Sequence, residues 1–483
     1  MNVLVYSHVP LWISHHAEAV EIALRESSNG NNVIFLSCTG QLSFCPANLD
    51  KKKLLCQACR LQTNKTIKLL KGKGINEFIN LGDFIKKGDW NFSTHEALKA
   101  EEYKGALIGN LVYSSIATYY EDSYFSVVGN NNFINQLMSD AVNLYDQTEQ
   151  IIEKKNIESL YYWNGRRHCE GVMGYAARNK KINFSSFISG GALDGILIRN
   201  NCYTVHDLED SKKNIEEIKI HLIKDSPKYI ESINKASAYY GRACGLPGVK
   251  GAHNYLGFYD FSSKFKISES LYRDLKNRKI VSIFVGTYSE FSGLKGYDCS
   301  GYFFEDFYIG VSQVLKILSK FDDVVAVVRW HPNSRRLTGI EKTKLENLVA
   351  QADGDKVRHV LPLDRADSYD LIRKSEKVIA IGSTIAMEAV AMGKPVIFLA
   401  HNVFEDLDCI YVPKDISELT NLISQQLTVR NQWLCLVFSM YYITFGNDIF
   451  REVRQPRRGS FRVNGKNIRS KLTLILQYFQ KLF

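Results

Sequence analysis

Residues 378–400 read VIAIGSTIAMEAVAMGKPVIFLA, and four residues in this stretch carry chemistry: Gly382, Ser383, Thr384 and Glu388. Gly382 allows a tight turn. A hydroxyl at Ser383 or Thr384 can cap a helix or bond a phosphate oxygen. The first turn of a helix offers unpaired N–H groups and a partial positive charge, which suits a phosphate. Glu388 lies five residues beyond Ser383, among Ala386, Ala389, Val390 and Ala391. From there a carboxylate can accept hydrogen bonds from two ribose hydroxyls while a phosphate rests on the turn. An ordinary capped helix with a surface acid is the plainer reading. It fits less well, because an unpaired carboxylate in an apolar helix is costly to bury.

Two more clusters belong with this one. Arg329-Trp330-His331-Pro332 ends an apolar run, and Pro332 forces the chain off the strand. His331 and Arg329 are thereby candidates to stabilise negative charge on a leaving phosphate. Gly286-Thr287-Tyr288-Ser289-Glu290 follows another apolar run and offers Ser289 and Glu290 to a donor or a leaving group. Nearer the N-terminus, His8, His15, His16 and Glu18 follow the first strand, and Asn164-Gly165-Arg166-Arg167 with Glu170 follow a later one. Glu18 or a neighbouring histidine is a candidate general base; His15, Asn164 and Arg166 are candidate acceptor contacts. Cys38, Cys45, Cys56 and Cys59 are spaced C-x6-C-x10-C-x2-C, the ligand set of a candidate closed structural zinc knuckle. Cys38 also closes an apolar strand, where a plain buried thiol is common.

These residues need scaffolding, and the apolar pattern supplies it. Asn2 to Ser7, a helix from about 14 to 28 and a strand from 33 to 37 form β-α-β at the start, the pattern of a parallel sheet with crossover helices. Residues 65–160 and 205–275 read as mostly helical. Strands at 160–163 and 184–188 complete the first half. A second β-α-β series begins at 279–285. It continues through a helix at 304–320, strands at 324–329 and near 357–361, and helices at 340–353 and 367–374, and ends in the stretch quoted above. Ligands of open parallel sheets bind at the carboxyl ends of the strands, where these polar clusters fall. The expected domains are 1–275, carrying a Cys-rich insertion at about 38–59; 276–428; and C-terminal helices with a basic tail, 429–483.

Composition narrows the class. With 483 residues and 45% hydrophobic content, the chain can bury two or three cores. Nine prolines and no biased tract argue against long disorder. The start, MNVLVYSHV, lacks a basic leader region. The longest apolar run, 433–445, is short of the roughly 20 residues a spanning helix needs. A soluble cytoplasmic protein is expected, its ten cysteines thiols or metal ligands. Residues 451–483 hold nine Lys/Arg against one acid, so most of the net charge of +10 sits in the tail. A nucleic-acid partner is therefore not expected. The tail ends in SKLTLILQYFQKLF, apolar at helical spacing, which suits either an anionic bilayer surface or packing on the protein itself. No GxGxxG follows the first strand, and GxxxxGK[ST], GxSxG and HExxH are absent.

CPAN (45–48), CQAC (56–59), WNGRR (163–167), RWHPN (329–333) and the run 367–397 together resemble the bacterial capsule and surface-polysaccharide glycosyltransferases of the GT-B superfamily. The turn at 383 with Glu388 also resembles the nucleotide site of non-hydrolysing UDP-GlcNAc 2-epimerases, with Thr384 and Ile385 in place of glycines. The resemblance implies two Rossmann-like domains facing a central cleft and metal-independent sugar transfer at the cytoplasmic face of the inner membrane. It implies a UDP-, GDP-, dTDP- or CMP-linked donor and a lipid-linked glycan or polysaccharide acceptor, of capsule or lipopolysaccharide type. An epimerase, or a non-catalytic scaffold in a polysaccharide assembly complex, are the alternatives.

Overall fold

The structure, a computed structural model, describes residues 1–49, 51–189, 195–223, 234, 236, 240, 278–297, 299, 302–352, 354–364, 366–444, 448–449, 452–457 and 460–469. They form two compact units. One comprises residues 1–119 and 126–207 with the described residues beyond 446; the other comprises residues 120–125 with those between 208 and 445.

The first unit is built on a seven-stranded sheet. Its strands are β1 (Asn2–Ser7), β2 (Asn32–Ser37), β3 (Glu77–Asn80), β4 (Ser159–Trp163), β5 (Asn183–Ser189), β6 (Gly195–Asn200) and β12 (Asp448–Ile449), in the order β12-β6-β5-β4-β1-β2-β3. β1 to β5 run parallel; at one edge β6 pairs antiparallel with β5, and β12 pairs antiparallel with β6. Every residue of β1 after Asn2 is buried, as expected for a central parallel strand covered on both faces. Helix Ile13–Ser28 lays Val20, Ala23 and Leu24 among Val3, Val5 and Phe35. β3 was expected as helix; its apolar core is only Phe78-Ile79 between Glu77 and Asn80, and none of the four is fully buried, so no apolar run marks it.

The chain's last described stretch returns to this unit. β13 (Val453–Arg457), β14 (Ser460–Val463) and β15 (Lys466–Asn467) form a small antiparallel sheet. Val453, Phe461, Val463 and Ile468 join the core under helix Ile13–Ser28. Asn464 and Gly465 turn between β14 and β15 with φ of 49° and 74°, the left-handed pair of a tight hairpin. Glu21, buried in the helix, accepts the backbone N–H groups of Glu452 at 2.9 Å and Val453 at 2.6 Å and holds Arg25 at 2.7 Å. Gln62 donates to the Ile468 carbonyl and Lys65 to that of Arg469. The basic segment was expected among C-terminal helices; up to residue 469 it is strand docked on the first unit. The amphipathic stretch 470–483 lies outside the described residues.

The second unit carries a five-stranded parallel sheet, β11-β10-β7-β8-β9, from β7 (Lys279–Val285), β8 (Val324–Trp330), β9 (Val357–Val360), β10 (Lys377–Ile381) and β11 (Val396–Leu399). Alternate residues feed two cores. Ala326, Val328, Ile379 and Ile381 meet helix Phe307–Leu318; Val325, Val327, Val378 and Ala380 meet helices Ile385–Ala391 and Leu434–Thr444. Helix Leu208–Ile223 also belongs here. Its Ile215 and Leu222 enter the same core as Val437 and Phe438, so the described chain changes unit near 208 rather than at the expected 275. The physical reason is the apolar stripe of that helix, which buries against Leu434–Thr444. Most of the helical expectation for 224–275 lies outside the described residues. Among the described residues no helix is long and apolar enough to cross a membrane.

Candidate functional site

The second unit gathers its polar residues where β10, β7 and β8 end side by side. The exits are stitched together by backbone: Gly382 N–H donates to Leu399, Gly286 N–H to Ile381 at 2.8 Å, and His331 N–H to Val285 at 3.1 Å. Gly382 has φ +59°, and a side chain there would strike the Phe307 ring. A Cβ on Gly286 would sit 2.6 Å from the Gly382 carbonyl oxygen. Both glycines are thus demanded by close approach, one also by its backbone angle.

Thr384 caps helix Ile385–Ala391 by position only, without a side-chain bond to the helix, and is exposed; Ser383 is half-buried. The plainer reading, a hydroxyl spent on capping, is not what the turn shows. Glu388 is partly buried, and among the described residues its one hydrogen-bond donor is the Tyr369 hydroxyl, 2.9 Å from Oε2. Burial pushes its carboxyl up to about 7 against the pull of that hydroxyl.

His331 Nδ1 accepts the Asn333 N–H at 3.2 Å and lies 3.4 Å from Thr287 Oγ1. Burial, with Arg329 and Arg336 nearby, lowers its pKa despite the Glu290 charge, so the ring is neutral at pH 7. With Nδ1 accepting, the proton is assigned to Nε2. Glu290 Oε1 accepts from Asn333 Nδ2 at 2.6 Å, placing Glu290 behind the histidine turn. Arg329 is buried and spends Nη1 on the Leu361 carbonyl at 2.6 Å. Ser289 is turned inward: its N–H donates to Glu341 at 3.1 Å.

Glu341 is the residue sequence reasoning missed. It is fully buried and also accepts from Ser123 N–H, Ser123 Oγ and the Tyr308 hydroxyl at 2.9, 3.0 and 3.0 Å. Burial lifts its carboxyl to about 7 in spite of these donors. Asp122 meanwhile accepts the N–H groups of Ile340 and Glu341 and starts their helix. The partners lie at 123, 289 and 308, so no local spacing could reveal a site that ties the 287–292 turn to the 120–125 loop.

In the first unit the matching place is the carboxyl end of β1 and β4. His8 Nε2 lies 3.1 Å from Glu170 Oε2, both buried, and the Cys169 thiol donates to the same carboxylate. Burial alone would raise Glu170, but His8, the Arg167 charge and the Cys169 thiol hold it below the usual carboxylate range. Arg167 lies over the rings of Trp163 and Trp12, at 5.4 and 5.9 Å. His15 packs on Trp163 with ring centroids 4.3 Å apart, its Nδ1 3.4 Å from Glu18 Oε1. His15 is 25% exposed and Glu18 only 1%, so the histidine, not the acid, faces outward. Asn164 sits at φ +58°, bonding Phe187 and Val205 through its backbone.

Trp163 Nε1, Asn164 Oδ1 and Arg167 Nε are buried with no hydrogen-bond partner among the described residues. Buried polar atoms are nearly always satisfied, so three together mark a place that a ligand can complete. His15, Glu18 and Asn164 are thus brought to one cluster, whereas Arg166 is tied to Ser114 by Nε at 2.9 Å. His16 is structural. Ser7 and Thr66 hold its two nitrogens at 2.7 and 2.6 Å, and burial drops its pKa to about 3.

Cys38, Cys45, Cys56 and Cys59 are unpaired thiols that line one small cavity beside His8. Among the described residues, only His8, Cys169 and Glu170 bring three metal-ligating atoms within 4.8 Å of one another. The four thiols therefore share a space without the tight tetrahedron of the expected zinc knuckle.

No protein-family model matches the chain, and no curated protein matches it. Solved structures similar to it include the S. aureus MnaA–UDP co-structure, at 12% identity over 92% of each chain with a TM-score of 0.31. UDP-GlcNAc 2-epimerase from Neisseria meningitidis bound to UDP-GlcNAc matches over 100% of both chains at 12% identity and a TM-score of 0.28. The beta Kdo 2,4 transferase of Thermosulfurimonas dismutans KpsC matches 67% of this chain and 87% of its own, at 12% identity and a TM-score of 0.37. At these TM-scores the likeness carries no weight for activity, which is read from the chain's own residues.

Proposed function

We propose that the protein is a metal-independent glycosyltransferase that moves a sugar from a nucleotide-activated donor, held by the second unit, to a surface-polysaccharide acceptor, held by the first. The observation that carries this reading is Glu388: a partly buried carboxylate beside a glycine turn, with one oxygen held by Tyr369. Ribose hydroxyls would give it the donors that the apolar helix does not. In this reading Ser383 and Thr384 bond the phosphates. His331 donates Nε2–H to the leaving phosphate as a neutral imidazole, with Glu290 and Asn333 fixing its ring and Arg329 supplying background positive charge. On the acceptor side His15 is the general base and Glu18 orients it, because His15 is the more exposed of the pair. Trp12, Trp163 and Arg167 form the acceptor's platform, with Asn164 beside it. A lipid-linked acceptor would place the enzyme at the inner face of a membrane, with Arg462 and Lys466 among its exposed cations.

A second reading, nucleotide-sugar 2-epimerisation, is favoured by one observation: Glu18 and Glu170 both lie beside histidines at the first unit's strand ends. One experiment separates the readings. The protein is melted with UDP-, GDP-, dTDP- and CMP-sugars, and the stabilising donor is then incubated with and without a glycan acceptor. Stabilisation by one nucleotide class, lost in Glu388→Ala, and turnover only with acceptor are expected. Conversion of UDP-GlcNAc without acceptor would establish the epimerase instead. No stabilisation by any of the sugars would leave the scaffold.

A further inference from the structure

Helix Lys53–Lys71 carries a face that neither the donor site nor the acceptor cluster uses. Between Asp50 and Glu77 the sequence holds eight Lys/Arg and no acid. Leu55, Ala58, Gln62, Thr66 and Leu70 are the helix's buried side and hold it on the first unit. Its eight exposed residues lie on the opposite side, within about 120° of arc at 3.6 residues per turn. Four of them are cations, Lys53, Arg60, Lys68 and Lys71, and two are the amides Gln57 and Asn64. The other two are Leu54 and Leu61, exposed by 63% and 37%.

The docked C-terminal hairpin widens this surface. Gln62 and Lys65, which come just past the leucines round the helix, donate to the Ile468 and Arg469 carbonyls at 2.8 and 2.6 Å. Arg462 and Lys466 of the hairpin are exposed. Of the acids that border the face, Glu452 pairs with Lys73 at 3.5 Å and Glu77 pairs with Lys155. A merely solvated face mixes both signs of charge. Cations alone, with two leucines beside them, match an anionic bilayer: Lys and Arg meet the headgroups, and the leucines enter the boundary beneath. A soluble polyanion would use the cations and leave the leucines in water. We propose that helix Lys53–Lys71 and the 460–467 hairpin dock the first unit on an anionic lipid surface, with Leu54 and Leu61 inserted.

The test is co-sedimentation of the full chain with vesicles, either phosphatidylcholine alone or equal parts phosphatidylcholine and phosphatidylglycerol. Binding to the anionic vesicles only, weakened by added salt, is expected. At roughly fivefold per cation removed, the double variant Lys53→Glu, Lys68→Glu should partition at least about 25-fold more weakly. Leu54→Gln with Leu61→Gln should weaken binding several-fold while leaving its salt dependence intact. Lys316→Glu with Lys320→Glu makes the same charge change at exposed positions of the second unit and should bind as wild type does. All six positions are exposed, so unchanged melting certifies the fold of each variant. Equal binding to both kinds of vesicle, or to neither, would overturn the proposal. So would binding kept by Lys53→Glu, Lys68→Glu, or by the leucine pair, or lost equally in the second-unit control. Capture by soluble heparin without vesicle binding would assign the face to a soluble polyanion instead. None of these results bears on donor binding by the second unit.

Discussion

Glu388→Gln should stabilise the ligand-free protein and at the same time remove donor binding. Burial lifts this carboxyl from 4.5 to about 7; at roughly 1.4 kcal/mol per pH unit, its ionisation costs the folded state about 3 kcal/mol. The sign follows from proton uptake. A carboxyl with a raised folded pKa binds its proton more tightly folded than unfolded, so it is harmless near pH 4.5. It becomes destabilising as pH rises to about 7 and costs a constant amount above that. Glutamine has the same shape, can keep the Tyr369 bond and never ionises. The melting transition of the second unit should therefore rise by roughly 6–12 °C at pH 8, at about 2–4 °C per kcal/mol for a unit of this size. The gain should vanish near pH 4.5. Two charge-assisted bonds to ribose, at roughly 1.5–3 kcal/mol each, imply donor affinity at least a hundredfold weaker in the variant. Calorimetric melting from pH 4.5 to 8.5, with titration of the stabilising nucleotide sugar, reads both effects. Parallel melting profiles for the two proteins would refute the buried-carboxylate reasoning, and unchanged affinity would refute the ribose assignment.

His331→Ala should cut transfer at least a hundredfold with little change in melting. Because its pKa is lowered, any acid limb in wild-type turnover that belongs to His331 should fall below pH 6.5; a limb above that value, abolished by His331→Asn, would contradict the neutral-donor role. Glu341→Ala strands the Ser123, Ser289 and Tyr308 donors and should cost about 2–4 kcal/mol in urea unfolding of the second unit; a loss below 0.5 kcal/mol would rule out its bracing role. Gly382→Ala forces a Cβ into Phe307 at a left-handed angle and should lower both melting and donor affinity; a silent result would mean that the turn is looser than drawn. Glu21→Ala removes the anchor of Glu452 and Val453 and should expose residues 452–469 to limited proteolysis, whereas equal cleavage of both proteins would refute the anchoring.

The scaffold was legible where apolar runs are uninterrupted. β1, β2, β4, β5, β7, β8, β10 and β11 all follow from strands buried on both faces, and the polar clusters duly lie at their carboxyl ends. Ser383, Glu388 and His331 could be picked out because each interrupts such a pattern. Residues whose meaning lies in distant partners could not. Glu341 looks like any acid on a charged helix, and His8 with Glu170 becomes a pair only when β1 and β4 lie side by side. The tail misled because nine cations suggested a solvated segment, although Asn464-Gly465 between Phe461-Arg462-Val463 and Lys466 is itself a hairpin signal. The four cysteines were visible as a set, but their mutual distance is a property of the folded cavity alone.

The return of residues 448–469 to the first unit has a consequence for synthesis. That unit contains the earliest residues of the chain and also some of the latest, with residues 208–445 made in between. On the ribosome, the second unit's sheet is complete once β11 has emerged. The first unit must wait, its core short of Val453, Phe461 and Ile468 and the Glu21 carboxylate lacking its two N–H partners, until those residues arrive. Domains commonly fold in the order in which they are made; here the unit begun first is finished last. A nascent chain halted near residue 445 would pair a finished second unit with an open first one, a ready substrate for chaperones and proteases.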